Sequence, residues 1–450
     1  MATGIVQGEK LGADALLAEK AQSDSHSLPD KNEAIELVYS NKMSEQDILA
    51  QQTHRYLRID KNGKPTNANK LPSNGIVLAD NFFGLHKLLE QHSEKVQLIY
   101  MDPPYGTGMD FQSRSLKHAY KDVLGTAPWL EFIRRRMLMM RELLAEDGSI
   151  YVHIGHQMLF HLKIIMDEIF GSSNFRNLIT RKKCSSKNYT KNQYPNLNDY
   201  ILFYSKTKSY KWNMPGIVPS KEWITKEYPK TDNKGRYKLV PIHAPGVRNG
   251  ATGEAWRGMM PPPGKHWQMT PSKLEQVDAR GEMHWSKNGN PRRKVYLTED
   301  KEVPLTDYWD SYRDAHHQSI KITGYPTEKN LEMLKKIILA SSDEGDLVLD
   351  PFCGSGTTLH AANDLSRSWI GIDQSFTAIS SSLDRLRNGL RPMGDYVASP
   401  ENPITEPQKP GRSRRAISES MKHQAAKFKF FVDSEVFEKH RKEILELAKI

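Results

Sequence analysis

The feature that most constrains this chain is a pair of apolar runs, each closed by an aspartate. Val96 to Met101 leads into Asp102-Pro103-Pro104-Tyr105, and Leu347-Val348-Leu349 leads into Asp350-Pro351-Phe352-Cys353-Gly354-Ser355-Gly356-Thr357-Thr358. The second run has strand length, and an apolar pattern from Leu359 to Leu365 follows its turn, which predicts a strand, a tight turn and a helix. Gly354 and Gly356 lack a Cβ, so the backbone there can turn sharply and approach a ligand, while the helix behind offers unpaired N–H groups. The next strand, Trp369-Ile370-Gly371-Ile372, ends in Asp373. That places a carboxylate where dinucleotide-binding units grip ribose hydroxyls, about 20 residues after the glycine turn.

The tetrapeptide at Asp102 supplies different chemistry. Its prolines remove two backbone donors and fix φ, so the Pro103 carbonyl is expected to point outward without a ladder partner. A carboxylate, a carbonyl and an aromatic ring then share one rigid edge. An exocyclic amine on a nucleobase needs acceptors for its two N–H groups and a ring to stack on, and this edge offers all three.

With both strings in view, the chain resembles the amino-methylating, S-adenosylmethionine-dependent DNA methyltransferases of the β group, in which the catalytic motif precedes the cofactor motif. The resemblance runs from about Gly75 to Arg387 and is nearest to the modification subunits of type III restriction systems and their solitary relatives. It implies catalytic roles for Asp102, Pro103, Pro104 and Tyr105, with adenine N6 preferred to cytosine N4 because the first residue is Asp. It places cofactor contacts at Asp80, Asn81, Thr327, Lys329, Asp350, Phe352, Cys353, Gly354, Ser355, Gly356, Thr357 and Asp373. Related proteins commonly read Thr-Gln-Lys-Pro where this chain has Thr327-Glu328-Lys329-Asn330, so Glu328 is expected to add a charge near a carboxylate-bearing ligand, with Thr327 capping the following helix. Double-stranded DNA is the implied substrate, and a second copy of the chain or a restriction subunit the implied partners.

Charge agrees with a polyanionic partner. The formal net charge is +10 over 450 residues. From Ser205 to Ile320 there are 20 Lys plus Arg against 13 Asp plus Glu, a local +7, together with six of the eight tryptophans. An irregular, basic, Trp-rich insertion is where the resemblance places target recognition, with Arg292 and Arg293 as candidate DNA contacts. Individual tryptophans such as Trp267 read as core. An earlier basic run, Arg181-Lys182-Lys183 with Lys187, is a second candidate phosphate contact.

Other classes are disfavoured. A mean hydropathy of -0.65 and the lack of a spanning apolar run argue against a membrane protein, and the first 21 residues do not read as a secretion signal. Two cysteines, Cys184 and Cys353, imply a reducing compartment and hence the cytoplasm. Neither a zinc-ligand spacing, a hydrolytic triad nor a phosphate-binding Gly-x-x-x-x-Gly-Lys is present, so no metal is expected.

The expected architecture is α/β, a Rossmann-like methyltransferase fold with circularly shifted motif order. Its parts are a helical extension at 1–73 with helices near Lys31 to Val38 and Glu45 to Tyr56, a catalytic half at 74–204, a recognition insertion at 205–320, a cofactor half at 321–390, and a linker with a docking strand and helix at 391–450.

Overall fold

The computed structural model describes residues 36–50, 54–105, 110–112, 118–121, 125–184, 192, 194–314, 321–322, 328–392 and 426–450. The chain divides into two compact units, one holding both sequence motifs and a second within the insertion, Met214–Leu305.

The first unit is built on an eleven-stranded sheet: β1 (Tyr56–Ile59), β2 (Pro65–Ala68), β3 (Gly75–Leu78), β4 (Val96–Met101), β5 (Leu144–Ile154), β6 (Phe175–Lys182), β7 (Asn198–Ser205), β8 (Tyr308–Trp309), β9 (Leu347–Asp350), β10 (Ser368–Asp373) and β11 (Lys429–Asp433). Their order is β8-β6-β7-β5-β4-β9-β10-β3-β11-β1-β2. From β5 to β11 every neighbour is parallel. This is the doubly wound arrangement, with the circular shift visible as β4 preceding β9 in sequence but lying beside it.

The helices that position the site are α1 (Asn81–His92), α2 (Thr126–Leu143), α3 (Leu159–Phe170), α4 (Leu331–Ser341), α5 (Thr357–Asp364) and α6 (Phe376–Asn388). Alternate strand residues Val77, Ile99, Met101, Ile150, Val152 and Ile154 share one core with Leu85, Leu88, Trp129, Ile133, Met137, Leu162 and Ile165 from α1, α2 and α3. The intervening Ile76, Leu78, Leu98 and Tyr100 are buried too, as expected of parallel strands covered on both faces. Side chains set the helix starts: Asp80 caps α1, Asn330 caps α4 and Ser375 caps α6. The cap of α4 is therefore Asn330 and not Thr327, which lies outside the described residues.

The N-terminal expectation needs correction. Residues 31–35 of the first expected helix lie outside the described residues and 36–38 are not helical; the helix near Glu45 is Glu45–Leu49, and the hairpin β1-β2 follows. Tyr56 and Ile59 are buried because β1 pairs with β11, a partner too distant in sequence to read from local pattern. The expected C-terminal strand and helix do dock on the body: Lys429–Asp433 runs between β3 and β1, and helices Ser434–Lys439 and Arg441–Lys449 follow. Most of the expected linker, 391–415, falls outside the described residues.

The second unit has a four-stranded antiparallel sheet, with strands 230–232, 235–240, 291–296 and 283–285 in that order. Its core contains Ile242, Trp256, Trp267, Leu274, Val277 and Met283. Among the described residues no helix is long and apolar enough to cross a membrane.

Candidate active site

The parallel strands share a polarity, so their C-terminal ends form one edge. Five adjacent strands, β4, β9, β10, β3 and β11, reach that edge at Asp102, Asp350, Asp373, Asp80 and Asp433. Burial pushes Asp350 up to about 7, against hydrogen bonds from Thr358 and the Phe352 N–H. It pushes Asp373 up to about 6, although backbone N–H groups of Ser375, Gly354 and Gln374 pull the other way. Two carboxyls raised by desolvation at one sheet edge make that edge a candidate ligand site.

The glycine turn is held from two sides. The Gly354 N–H donates to Asp373 Oδ2 at 3.0 Å, and Ser382 Oγ donates to the Gly354 carbonyl at 2.8 Å. Gly356 adopts φ +72°, and a Cβ there would lie 2.7 Å from Ser382 Oγ. Only glycine fits that backbone. Cys353 is buried under the turn, with its thiol raised well above the usual range by burial. Phe352 is half-buried, its ring 6.1 Å from that of Phe132. Ser355 and Thr357 are buried around Arg385, whose Nη1 lies 2.8 Å from Thr357 Oγ1. The same guanidinium pairs with Glu328 at 2.9 Å, and both side chains are almost wholly buried. Glu328 therefore has its charge neutralised internally, which corrects the expectation of a free charge facing a ligand.

Asp80 and Asn81 divide their labour. Asp80 Oδ1 caps α1 at Phe82 N, at 2.8 Å, and receives Arg136 Nη2 at 2.7 Å, while its side chain stays 42% exposed. Asn81 is buried, donating to the Pro351 carbonyl at 2.6 Å and accepting from Arg136 Nε, so it ties the end of β3 to the turn after β9. Beside Asp80 lies a cavity of about 460 Å³ whose walls include Phe82, Phe83, Pro128, Phe132 and Arg136.

At the end of β4, Asp102 is held at both oxygens. Tyr105 Oη donates to Oδ1 at 2.9 Å, and Lys329 Nζ lies 2.7 Å from Oδ2. Pro103 is buried and Pro104 half-buried, and it is the Pro104 carbonyl that accepts from Trp129 Nε1, at 2.7 Å. Burial and the Asp102 carboxylate raise the Tyr105 hydroxyl well above its usual range, so it stays a donor. Lys329, which resemblance places on the cofactor, thus meets the tetrapeptide.

The first basic run behaves differently from expectation. Arg181 is wholly buried, bonded to Asp199 at 3.1 Å, Asp314 at 2.7 Å and the Tyr312 carbonyl at 2.7 Å. Its charge is spent inside the sheet, so it is not a phosphate contact. Lys183 reaches Asp199 Oδ1 at 2.7 Å and is committed likewise. Lys182 is half-buried, and Lys187 is outside the described residues. In the second unit, Arg292 is exposed opposite His284, while its neighbour Arg293 pairs with Val240 and Met283 on the core side, with Nε buried. Strand alternation separates the two arginines.

Sequence reasoning missed His153, Asp199, Trp129, Gly155 and Arg385. The available signal was a histidine set in the otherwise apolar run Ile150-Tyr151-Val152-His153-Ile154.

The N6_N4_Mtase family model, described as DNA methylase, matches residues 96–383. The type II methyltransferase M.EcaI of Enterobacter cloacae is 54% identical over 424 residues, covering 94% of this chain and 92% of its own. The StyLTI Mod subunit of a Salmonella typhimurium type III restriction-modification enzyme is 29% identical over 66% of this chain, which spans about half of that subunit's length (51%). Among solved structures, the M1.HpyAVI complex with SAM aligns over 69% of this chain and 98% of its own at TM-score 0.35 and 19% identity, too loosely to add to the sheet order. On the family match and the 54% relative, this chain is an S-adenosylmethionine-dependent DNA methyltransferase of the N6/N4 DNA methylase family.

Proposed function

We propose that the chain methylates the N6 amino group of an adenine flipped out of duplex DNA, as the modification enzyme of a restriction-modification pair. The observation that carries this reading is the Asp102 carboxylate at the end of β4, fixed by Tyr105 and Lys329, one strand from the glycine turn. The name of the 54% relative supports a type II system, and the Mod-subunit relatives support a companion restriction component.

The residues fit the cofactor. Gly354 and Gly356 give the backbone close approach, Asp373 offers a carboxylate that ribose hydroxyls would stabilise, and the aromatic-walled cavity by Asp80 suits a flat ring. Bound there, the cofactor supplies an activated methyl group on a sulfonium. The protein's task is then alignment of a weak nucleophile. Asp102 and a proline carbonyl accept the two amine N–H groups, favour a pyramidal nitrogen and stabilise positive charge as it develops. Tyr105 stacks the extruded base, offsetting the few kcal/mol lost on unstacking. Arg292 neutralises a backbone phosphate.

Cytosine N4 presents the same two donors to the same acceptors, and the family spans both chemistries. The test is incubation with unmethylated DNA and S-adenosylmethionine, followed by nucleoside mass spectrometry and base-resolution mapping. N6-methyladenine in one sequence context is the expected product, and N4-methylcytosine alone would replace the base assignment.

A further inference from the structure

We propose that His153 and Asp199 are positioning residues for the Tyr105 ring, an inference that rests on the base-stacking role given to Tyr105 above. His153 sits near the end of β5, wholly buried, with Nδ1 2.8 Å from Tyr100 Oη and Nε2 3.3 Å from Asp199 Oδ2. Burial, reinforced by the Lys329 cation, holds the imidazole below its usual range, so the ring is neutral at neutral pH. Burial pushes the Tyr100 hydroxyl well above its range. The Asp199 carboxylate beside Nε2 can only accept, which places the ring proton on Nε2 and makes the Tyr100 hydroxyl the donor to Nδ1. Tyr100 holds one end of the imidazole by a hydrogen bond, while Nε2 faces the Asp199 carboxylate at 3.3 Å without forming one.

Asp199 is itself fixed. Burial works to raise it, but His153, Lys183 and Lys329 outweigh that and keep it well below the usual carboxylate range, and Arg181 bonds the same oxygen that faces His153. The imidazole centroid lies 6.3 Å from that of Tyr105 at an interplanar angle of 35°. Two residues on, Gly155 lets the tyrosine in: a Cβ there would be 2.9 Å from Tyr105 Cδ2. The ring is thus anchored at its hydroxyl by Asp102, with Gly155 against its edge and the tilted His153 ring 6.3 Å away as its neighbour.

Stability alone does not account for this cluster. Replacing a buried ionic group by apolar side chains of similar volume is often neutral or stabilising, and the neighbouring β5 positions are filled by Ile, Tyr and Val. What the polar cluster adds is a unique ring orientation beside the tetrapeptide. An error of about 1 Å in such a placement can cost on the order of 100-fold in rate.

The test uses the full chain carrying His153→Phe or Asp199→Asn, each in the native and the Tyr105→Ala background. Single-turnover methylation, S-adenosylmethionine affinity by equilibrium dialysis, 2-aminopurine emission at the target base and the thermal midpoint are read for each. His153→Phe is expected to slow methylation by about 10-fold or more with Tyr105 present and less than about twofold without it. Cofactor affinity should stay within about twofold, and 2-aminopurine emission should rise as stacking on Tyr105 loosens. Equal losses in both backgrounds, an unchanged rate, or a parallel loss of cofactor binding would each overturn the proposal. Asp199→Asn, which keeps the shape and an acceptor, decides the matter if His153→Phe does not fold. Asp102→Ala is run alongside: full activity there sinks the reading of the tetrapeptide, whereas an inactive Asp102→Ala with a normal His153→Phe sinks only this inference.

Discussion

Lys329 Nζ stands 2.7 Å from Asp102 Oδ2, joining the segment before α4 to the end of β4. The ammonium also lies 5.6 Å from the Tyr105 ring centroid. Lys329→Met keeps the aliphatic stem and removes the cation, leaving Asp102 held at Oδ1 alone by Tyr105. Methylation should fall by about 10- to 100-fold, the cost of misplacing a reacting group, while the thermal midpoint changes little. Steady-state kinetics with a melting curve checks this, and an unaltered kcat would show that the pair is incidental.

Asp102→Ala removes the carboxylate proposed to accept from the amine. Methylation should disappear while duplex affinity, measured by fluorescence anisotropy, stays within about twofold, because phosphate contacts supply most of the binding. Loss of binding together with activity would assign Asp102 a structural role instead.

Gly356→Ala forces a side chain onto φ +72° and towards Ser382 Oγ. Left-handed backbone costs a non-glycine residue about 1 to 2 kcal/mol. The melting temperature should drop, and cofactor affinity by equilibrium dialysis should weaken by about 10-fold or more. A variant that binds normally would mean that the turn does not cradle the ligand.

Desolvation at the half-buried Asp373 pushes its carboxyl up to about 6. Its folded value lies above the unfolded one, so the stability owed to its protonated form is complete below about 4 and is lost as pH rises through about 6. If Asp373 holds the ribose as proposed, cofactor binding runs the opposite way, since the hydroxyls would donate to the ionised form. Affinity should be flat above pH 7 and fall by up to about 10-fold per unit below pH 6. Because Asp350 titrates near 7, the midpoint belongs to the pair. A profile that is flat from pH 5 to 8 would remove Asp373 from the cofactor site.

The arginines should separate cleanly. Arg181→Ala removes one of the two cations on the buried Asp199, leaving Lys183, and should cost about 3 kcal/mol in urea unfolding, the low end of the range for breaking a buried pair. Arg292→Ala should leave stability unchanged and reduce the salt slope of DNA binding by about 1. The reverse pattern would exchange their roles.

What was legible in the sequence was local. The run Val96 to Met101 and its tetrapeptide, and the glycine turn with Asp373, lie within short stretches whose order of strand, turn and helix can be read residue by residue. Arg181 misled because a basic run looks the same whether it meets phosphate or a buried carboxylate. Only the antiparallel pairing of β5 with β7 and β6 with β7 brings Asp199 between Arg181 and His153. The described N-terminal residues misled similarly, since Tyr56 to Ile59 pair on one side with the short β2 and on the other with β11, which lies more than 360 residues away in sequence.

The position of β11 carries a consequence for time. Strand β3, at residues 75–78, receives this neighbour from residues 429–433, some 350 residues further along the chain. At typical synthesis rates of 5 to 20 residues per second, that edge waits roughly 20 to 70 s on the ribosome before it is filled. Through that interval the backbone beneath Asp80 is an open strand edge, exposed to the wrong partners. Assembly of the cofactor end of the sheet is thus a late event in the life of each molecule, and a chain stalled before residue 429 would carry the Asp102 tetrapeptide and the glycine turn on a sheet without its eleventh strand.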